Sequence, residues 1–222
     1  MGLKVELLGL CGVGKTTFLS ALTSRSEFDL DLALVYPVVP PRSRTLRSLI
    51  RILLVGFFTE PLTFSRFITN ISNWWLIKKI AYRSAGISLR DDERAIFVDS
   101  GILQPFLSFE IEEKLSDSTI PVHSLLNGCP LPDLVVVFSV LPRIAKQRYE
   151  QRGLCGEGKL IRQNSEEYFS RAEELRKKLV DYCKEKNVQI IRVDASCQFT
   201  EEYLRCKLVE IQNVFNTRED TL

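Results

Sequence analysis

The chain has 222 residues, 45% of them hydrophobic, and a formal net charge of +2. A chain of this length can bury roughly 70% of its unfolded surface in one domain. Six cysteines without C-x-x-C spacing and a single histidine exclude a zinc centre or a disulfide framework as the basis of the fold. The start, MGLKVELLGL, has neither the charged region nor the cleavage site of a signal peptide, and we expect a cytoplasmic protein.

The first predicted elements are a strand, a loop and a helix. KVELLGL is a short apolar run, and KTTFLSALTSR has apolar residues at helical spacing. Between them, GLCGVGKTT (residues 9–17) matches the phosphate-loop pattern G-x-x-x-x-G-K-[ST]. A glycine turn without a ligand is the alternative, but the flanking strand and helix favour a phosphate site.

Each residue type in this loop suits a nucleotide triphosphate. Gly12 and Gly14 let the backbone wrap closely around phosphate oxygens, and backbone N–H groups with the helix dipole hold them. Lys15 is expected to reach the β- and γ-phosphates, and the Thr16 hydroxyl to bind Mg²⁺. The other predicted nucleotide-binding residues of the loop are Gly9, Val13 and Thr17. The predicted cofactors are therefore ATP and Mg²⁺.

The next segment, about 36–89, is predicted to be an inserted basic helical lobe. Between Leu32 and Arg90, nine basic residues face one acid, which gives +8 and leaves −6 for the rest of the chain. Such an asymmetry favours an anionic partner, namely a phosphorylated substrate, a lipid headgroup or nucleic acid, whereas a solvated basic face is the alternative. The segment has no nucleic-acid recognition motif, so we expect no nucleic-acid partner. Arg42 and Arg44, together with Arg162 further along the chain, are the predicted substrate-binding residues.

Two amphipathic helices are predicted inside this lobe. LRSLIRILLVGFF (46–58) is apolar but is interrupted by arginines and is shorter than the about 20 residues that span a bilayer. In FSRFITNISNWWLIKKIAYR, residues 64, 67, 68, 71 and 75 are apolar at helical spacing, which predicts one continuous helix. The apolar faces of both helices suit the domain core, and peripheral contact with an anionic membrane is the alternative.

Three later strands complete a predicted parallel sheet. They lie in RAIFVDSG (94–101), in PDLVVVFS at the start of 132–153 and in VQIIRVDAS (188–196). Continuous apolar strands that alternate with helices predict an α/β fold, with a parallel sheet covered on both faces. Residues 1–222 are therefore expected to form a single three-layer α/β/α domain.

Asp99 ends the first of these later strands, at the edge of the sheet where the phosphate loop also lies. A carboxylate there can hold Mg²⁺ through water or accept a proton from an acceptor hydroxyl. It can also simply cap the next helix. DSGI lacks the glycine of a GTPase switch, and no N-K-x-D motif occurs, which argues against GTP-driven signalling.

The C-terminal half has clear helix boundaries. Pro142 and Gly153 suit the first turn and the end of a helix, Ser165 suits a helix start, and Thr200 suits the cap of a last helix that ends near Phe215. Arg148 and Arg152 lie four residues apart on one helix face. With Arg162 they are predicted to form a lid, about 148–165, that closes over the transferring phosphoryl group. Ordinary surface arginines are the alternative.

Residues 132–153 and 165–196, together with the phosphate loop, resemble thymidylate kinases and their P-loop relatives. The resemblance covers residues 3–25 and 94–212. It implies that the loop around Asp194, Ala195 and Ser196 lies against adenine and that Arg148 and Arg152 belong to the lid. The chain departs from that family where Ser100 follows Asp99, and it lacks the family's acceptor-binding motif. These departures favour another acceptor, such as a phosphorylated sugar, a lipid-linked glycan or an unusual nucleotide.

Two functions follow from these patterns. The favoured one is an ATP-dependent, Mg²⁺-requiring phosphotransferase acting on a small-molecule or glycan acceptor. The alternative is a nucleotide-binding module that docks on membrane or another anionic partner without turnover. The sequence is compatible with an oligomer and does not specify one.

Overall fold

The computed structural model describes residues 3–10, 12–23, 33–34, 40–70, 73–87, 96–98, 101–107, 121–151, 165–196 and 199–219. Within these ranges, five strands form one sheet in the order β2-β3-β1-β4-β5, and every neighbouring pair is parallel. The strands are β1 (Lys4–Leu8), β2 (Ala33–Leu34), β3 (Ile96–Val98), β4 (Leu134–Ser139) and β5 (Gln189–Asp194). The predicted parallel α/β sheet is confirmed, but β2 was missed because two residues carry no pattern.

The helices between and after these strands are, in chain order, α1 (Lys15–Thr23), α2 (Arg42–Thr59), α3 (Pro61–Thr69), α4 (Asn73–Ile87), α5 (Val122–Leu126), α6 (Pro142–Gln151), α7 (Ser165–Glu185) and α8 (Glu201–Glu219). The predicted start of α6 at Pro142 is confirmed. Thr200 caps α8 as predicted, because its Oγ1 accepts a hydrogen bond from the Tyr203 N–H at 3.3 Å. Helix α8 continues past Phe215, where we expected it to end.

Both faces of the sheet are covered, which makes the fold a three-layer sandwich. Side chains alternate along β4: Val136 and Phe138 belong to one core with helices α1, α7 and α8, and Val135 and Val137 belong to a second core with helices α2 to α5 and α7. All four are at most 1% exposed. A strand that is buried on both faces has apolar residues at consecutive positions. LVVVFS shows this pattern, and the sequence therefore predicted it as a strand.

The helices of the basic segment form part of this sandwich. Ile52 of α2, Phe64 of α3 and Leu76 of α4 are fully buried in the same core as Val135 and Val137. The inward faces of these helices therefore belong to the domain core, which is the first of the two places that the sequence suggested for their apolar residues. No helix in the described ranges has the length and apolar character needed to cross a membrane.

The prediction of one helix over 64–83 was wrong. The structure has two helices instead: α3 ends at Thr69, and α4 begins at Asn73. The Asn73 side chain donates to the Phe67 carbonyl at 2.7 Å, and the Trp74 indole N–H donates to the Ile68 carbonyl at 3.0 Å. Side chains thus take up carbonyls at the end of α3 that a continuing helix would have used. Trp75, predicted on the apolar face, is 38% exposed.

Candidate functional site

The phosphate loop connects β1, the central strand of the described sheet, to α1. Gly12 and Gly14 have φ angles of 83° and 95°, in the left-handed region where side chains other than glycine are strained. Val13 is buried between them, at 1% exposure. A Cβ on Gly9 would lie 2.9 Å from the Phe138 Cβ, so the start of the loop passes close against β4. The glycine pattern therefore corresponds to an observed backbone shape.

Cationic and polar groups meet at this loop. The Lys15 ammonium donates to the carbonyls of Gly9 and Leu10 at 2.8 and 3.2 Å, which places its charge across the loop. Thr16 and Thr17 follow in the first turn of α1 and are exposed. That turn carries no acidic residue. A helix N-terminus, a cation and a glycine-rich backbone together form a site suited to the phosphates of a nucleotide.

A buried carboxylate links the phosphate loop to the segment after β3. Glu6, in the middle of β1, is 1% exposed and accepts hydrogen bonds from the N–H groups of Ile102, Leu103 and Gln104 at 3.0, 2.7 and 3.0 Å. The Gln104 side-chain oxygen in turn accepts the Gly9 N–H at 3.3 Å. One chain of contacts thus joins the loop's first residue to the segment that follows Asp99.

Burial raises the pKa of Glu6 from 4.5 to about 7. The three N–H donors and the nearby Arg83 guanidinium act in the opposite direction, because they favour the ionised carboxylate. Gly101 is packed so tightly against this carboxyl group that a Cβ at position 101 would overlap the Glu6 carboxyl carbon. A larger residue at position 101 would therefore have to displace the Glu6 carboxyl group.

The loop after β5 is held in shape from two sides. Arg148 of α6 donates from Nη1 to the Ala195 carbonyl at 2.7 Å and from Nη2 to the Ser196 carbonyl at 3.4 Å. On the other side, the Tyr203 hydroxyl accepts the Asp194 N–H at 2.7 Å. Asp194 also accepts the Ser196 N–H at 2.9 Å, and this hydrogen bond lowers the pKa of its carboxyl.

Aromatic rings bring this loop next to the phosphate loop. The Phe18 ring of α1 makes edge contacts with Phe138 of β4 and Phe199, with centroids 5.2 and 5.7 Å apart. A Cβ on Gly14 would lie 3.4 Å from the Phe199 ring, which also stacks on Tyr203. The structure therefore brings together two predicted parts of the nucleotide site, the phosphate loop and the segment around Ala195.

Other predicted residues are not part of this assembly. Asp99, Arg152 and Arg162 lie outside the described residues, as does most of the lid predicted at about 148–165. Arg42 and Arg44 are exposed in the first turn of α2, and no described contact joins them to the phosphate loop. Within the described ranges, no three His, Cys, Asp or Glu side chains group as metal ligands would. The roles assigned to these residues stay predictions.

Sequence reasoning missed three residues of this region. Glu6 is a charged residue flanked by the apolar residues Val5, Leu7 and Leu8 of β1, a signal that could have marked it as a buried carboxylate with partners. Gln104 and Phe199 carried no comparable signal, because their contacts with Gly9 and Gly14 join positions far apart in the chain.

A cavity of about 670 Å³ lies away from this site, at the opposite edge of the sheet. It is lined by residues that precede β1, β4 and β5, including Leu3, Asp133 and Val188, and by Asn213 and Thr217 of α8. Ligands of parallel α/β sheets bind at the carboxyl ends of the strands, and the phosphate loop lies at that edge. We therefore place the candidate site at the loop and not in the cavity.

Comparison with solved structures identifies the fold. The chain is similar to deoxyadenosine kinase from M. mycoides with bound dATP, with a TM-score of 0.59 and 14% identity over 95% of this chain and 99% of that chain. For the same enzyme with bound dCTP, the TM-score is 0.55 and the identity 14%, over 95% of this chain and 100% of that chain. For the enzyme with products dCMP and a flexible dCDP bound, the TM-score is 0.53 and the identity 17%, over 97% of this chain and 100% of that chain. The fold is that of a P-loop kinase.

No family model matches the chain, and no curated protein matches it. The sequence resemblance predicted a P-loop kinase fold, and at this level it is confirmed. The three structures named above are of deoxyadenosine kinase, and they do not support a resemblance to the thymidylate kinase family in particular.

Proposed function

We propose that the chain is an ATP-dependent kinase that transfers the γ-phosphoryl group of ATP to a hydroxyl or phosphate group of a small-molecule acceptor. The observation that carries the proposal is the phosphate loop: Gly12 and Gly14 in the left-handed region, Lys15 across the loop and the N-terminus of α1 behind it. This arrangement fits a chain of phosphates and has no evident use without one.

The chain's own residues supply positioning and charge. Lys15 neutralises charge on the β- and γ-phosphates, and Thr16 presents a hydroxyl where Mg²⁺ is held in P-loop enzymes. Bound Mg²⁺ would offset the charge of the phosphates. Asp99 serves in this proposal as a metal ligand or as the base that accepts the proton of the acceptor hydroxyl. Positioning and electrostatic stabilisation account for most of the barrier lowering in phosphoryl transfer.

The proposed adenine side of the site is the loop around Ala195. Arg148 and Tyr203 hold that loop, and Phe199 joins it to Gly14. We assign Arg152 and Arg162 to the lid that covers the transferring group.

For the acceptor, nucleosides are the first class to test, since the structurally similar enzymes are deoxyadenosine kinases with bound nucleotides. Sugars and glycans are the second class, because the chain lacks the thymidylate-kinase acceptor motif. We place the acceptor on the basic side of the site, with Arg42 and Arg44 as the residues that meet its anionic groups.

The test uses γ-labelled ATP with separate panels of nucleosides, nucleoside monophosphates, sugars and glycolipid extracts. We expect one class to acquire the label, and Lys15→Ala to lose the transfer while it keeps the wild-type melting temperature. Lys177→Ala is the matched control, because Lys177 is exposed on α7. Undiminished transfer by Lys15→Ala overturns the proposal. Binding of ATP in calorimetry without any labelled product also overturns it, and the chain is then a nucleotide-binding module.

A further inference from the structure

Helix α2 has a second apolar face that points away from the core. Leu46, Ile50, Leu54 and Phe58 recur every four residues along it and are 56%, 48%, 55% and 86% exposed. This spacing places them on one side of the helix. Leu62, near the start of α3, continues the exposed apolar surface and is 78% exposed. The buried residues of α2, Ile52 and Gly56, lie on its other side.

The same helix is strongly cationic. Arg42, Arg44, Arg47 and Arg51 are all exposed, and the 18 residues of α2 include no aspartate or glutamate. Arg47 and Arg51 alternate with the exposed leucines and isoleucine along the chain. Long arginine side chains can keep their guanidinium groups in a polar layer while their aliphatic stems lie along an apolar surface.

We propose that the outer face of α2, formed by Leu46, Ile50, Leu54 and Phe58 with Arg47 and Arg51, binds an anionic lipid bilayer and lies at the boundary between its headgroups and acyl chains. Apolar side chains of such a helix enter the boundary between headgroups and acyl chains, to a depth of about 5–10 Å. The arginines then meet lipid phosphates at the depth of the headgroups. This inference does not depend on phosphoryl transfer.

The charge pattern favours a membrane over a second copy of the chain. In a symmetric dimer the same patch faces itself, so the arginines of both copies would be brought together without any acid from α2 to pair with them. An anionic bilayer instead offers opposite charge to the arginines and hydrocarbon to Leu54 and Phe58. The surface therefore matches a lipid interface in both of its properties.

The first experiment measures co-sedimentation with vesicles of phosphatidylcholine containing about one-third phosphatidylglycerol, and with pure phosphatidylcholine. We expect the wild type to bind the anionic vesicles and to bind the neutral ones much more weakly. Arg47→Gln with Arg51→Gln should lower the partition coefficient about 30-fold, because each basic residue near an anionic surface favours binding by about 1 kcal/mol. Lys177→Gln with Lys178→Gln, on the exposed side of α7, is the matched control and should change it less than about twofold.

A second pair of variants tests the apolar contribution. Leu54→Ser with Phe58→Ser should lower the partition coefficient at least about tenfold, since interfacial binding scales with buried apolar area. Leu141→Ser with Val209→Ser removes two other exposed apolar side chains and should leave binding unchanged. Melting temperatures confirm that each variant is folded.

Three results overturn the inference. The first is equal binding of the wild type to neutral and anionic vesicles, and the second is no binding to either. The third is a wild-type dimer in sedimentation velocity that Leu54→Ser with Phe58→Ser converts to a monomer, without vesicle binding. Because these assays use neither ATP nor an acceptor, their failure leaves the kinase proposal untouched, and the converse also holds.

Discussion

The buried carboxyl of Glu6 predicts a pH dependence of stability that one substitution can isolate. Its pKa is raised from 4.5 to about 7 in the folded chain, because burial disfavours the charged form. Between these two values the folded state retains a proton that the unfolded state has lost, so the free energy of unfolding falls as the pH rises. A change from 4.5 to about 7 corresponds to about 3 kcal/mol, at about 1.4 kcal/mol for each tenfold change in proton affinity. This contribution is fully present below pH 4.5 and is lost as the pH rises through 7.

Glu6→Gln removes the titration and keeps the size of the side chain. The amide cannot accept all three N–H groups, so we expect a pH-independent loss of about 1–2 kcal/mol. Urea unfolding of both proteins from pH 4.5 to 8 gives the free energy difference at each pH, and other titrating groups cancel in that difference. The free energy of unfolding of the wild type minus that of Glu6→Gln should fall by about 3 kcal/mol as the pH rises. Glu174→Gln, at an exposed position on α7, is the control and should show no such fall. A Glu6→Gln difference that stays constant within about 0.5 kcal/mol would refute the reasoning, since Glu6 would then ionise as in the unfolded chain.

Two further substitutions probe packing and the nucleotide site. Gly56→Ala should lower the free energy of unfolding by about 1–2 kcal/mol in urea titration, because the new Cβ would lie 2.5 Å from the buried Phe64 ring. This clash outweighs the better helix propensity of alanine. A more stable variant would show that the ring can move aside. Arg148→Ala should raise the KM for ATP about tenfold with a smaller effect on kcat, since it releases the carbonyls of Ala195 and Ser196 on the proposed adenine side. A loss confined to kcat would instead place Arg148 on the transferring phosphoryl group.

The phosphate loop was predictable because its signal is local. The nine residues of GLCGVGKTT specify a backbone shape, and the left-handed φ angles of Gly12 and Gly14 show that shape directly. Strand β4 was equally clear, since burial on both faces requires an uninterrupted apolar run.

The supporting residues were not predictable in the same way. Glu6 binds N–H groups 96 to 98 residues further along the chain, and Gln104 reaches back 95 residues to Gly9. No window of sequence contains both partners of these hydrogen bonds. The division between α3 and α4 depends on side chains that bond to particular carbonyls, a detail that helical periodicity does not carry.

Several side chains of this region form hydrogen bonds with backbone atoms. Arg148 donates hydrogen bonds to backbone carbonyls, and the Glu6 carboxyl group accepts hydrogen bonds from backbone N–H groups. Lys15 donates hydrogen bonds to the carbonyls of Gly9 and Leu10. A loop tethered through its main chain keeps its contour whatever side chains it displays, provided that the few anchoring residues and close-packed glycines stay in place. Such construction allows most residues of the loop to diverge while its backbone shape persists.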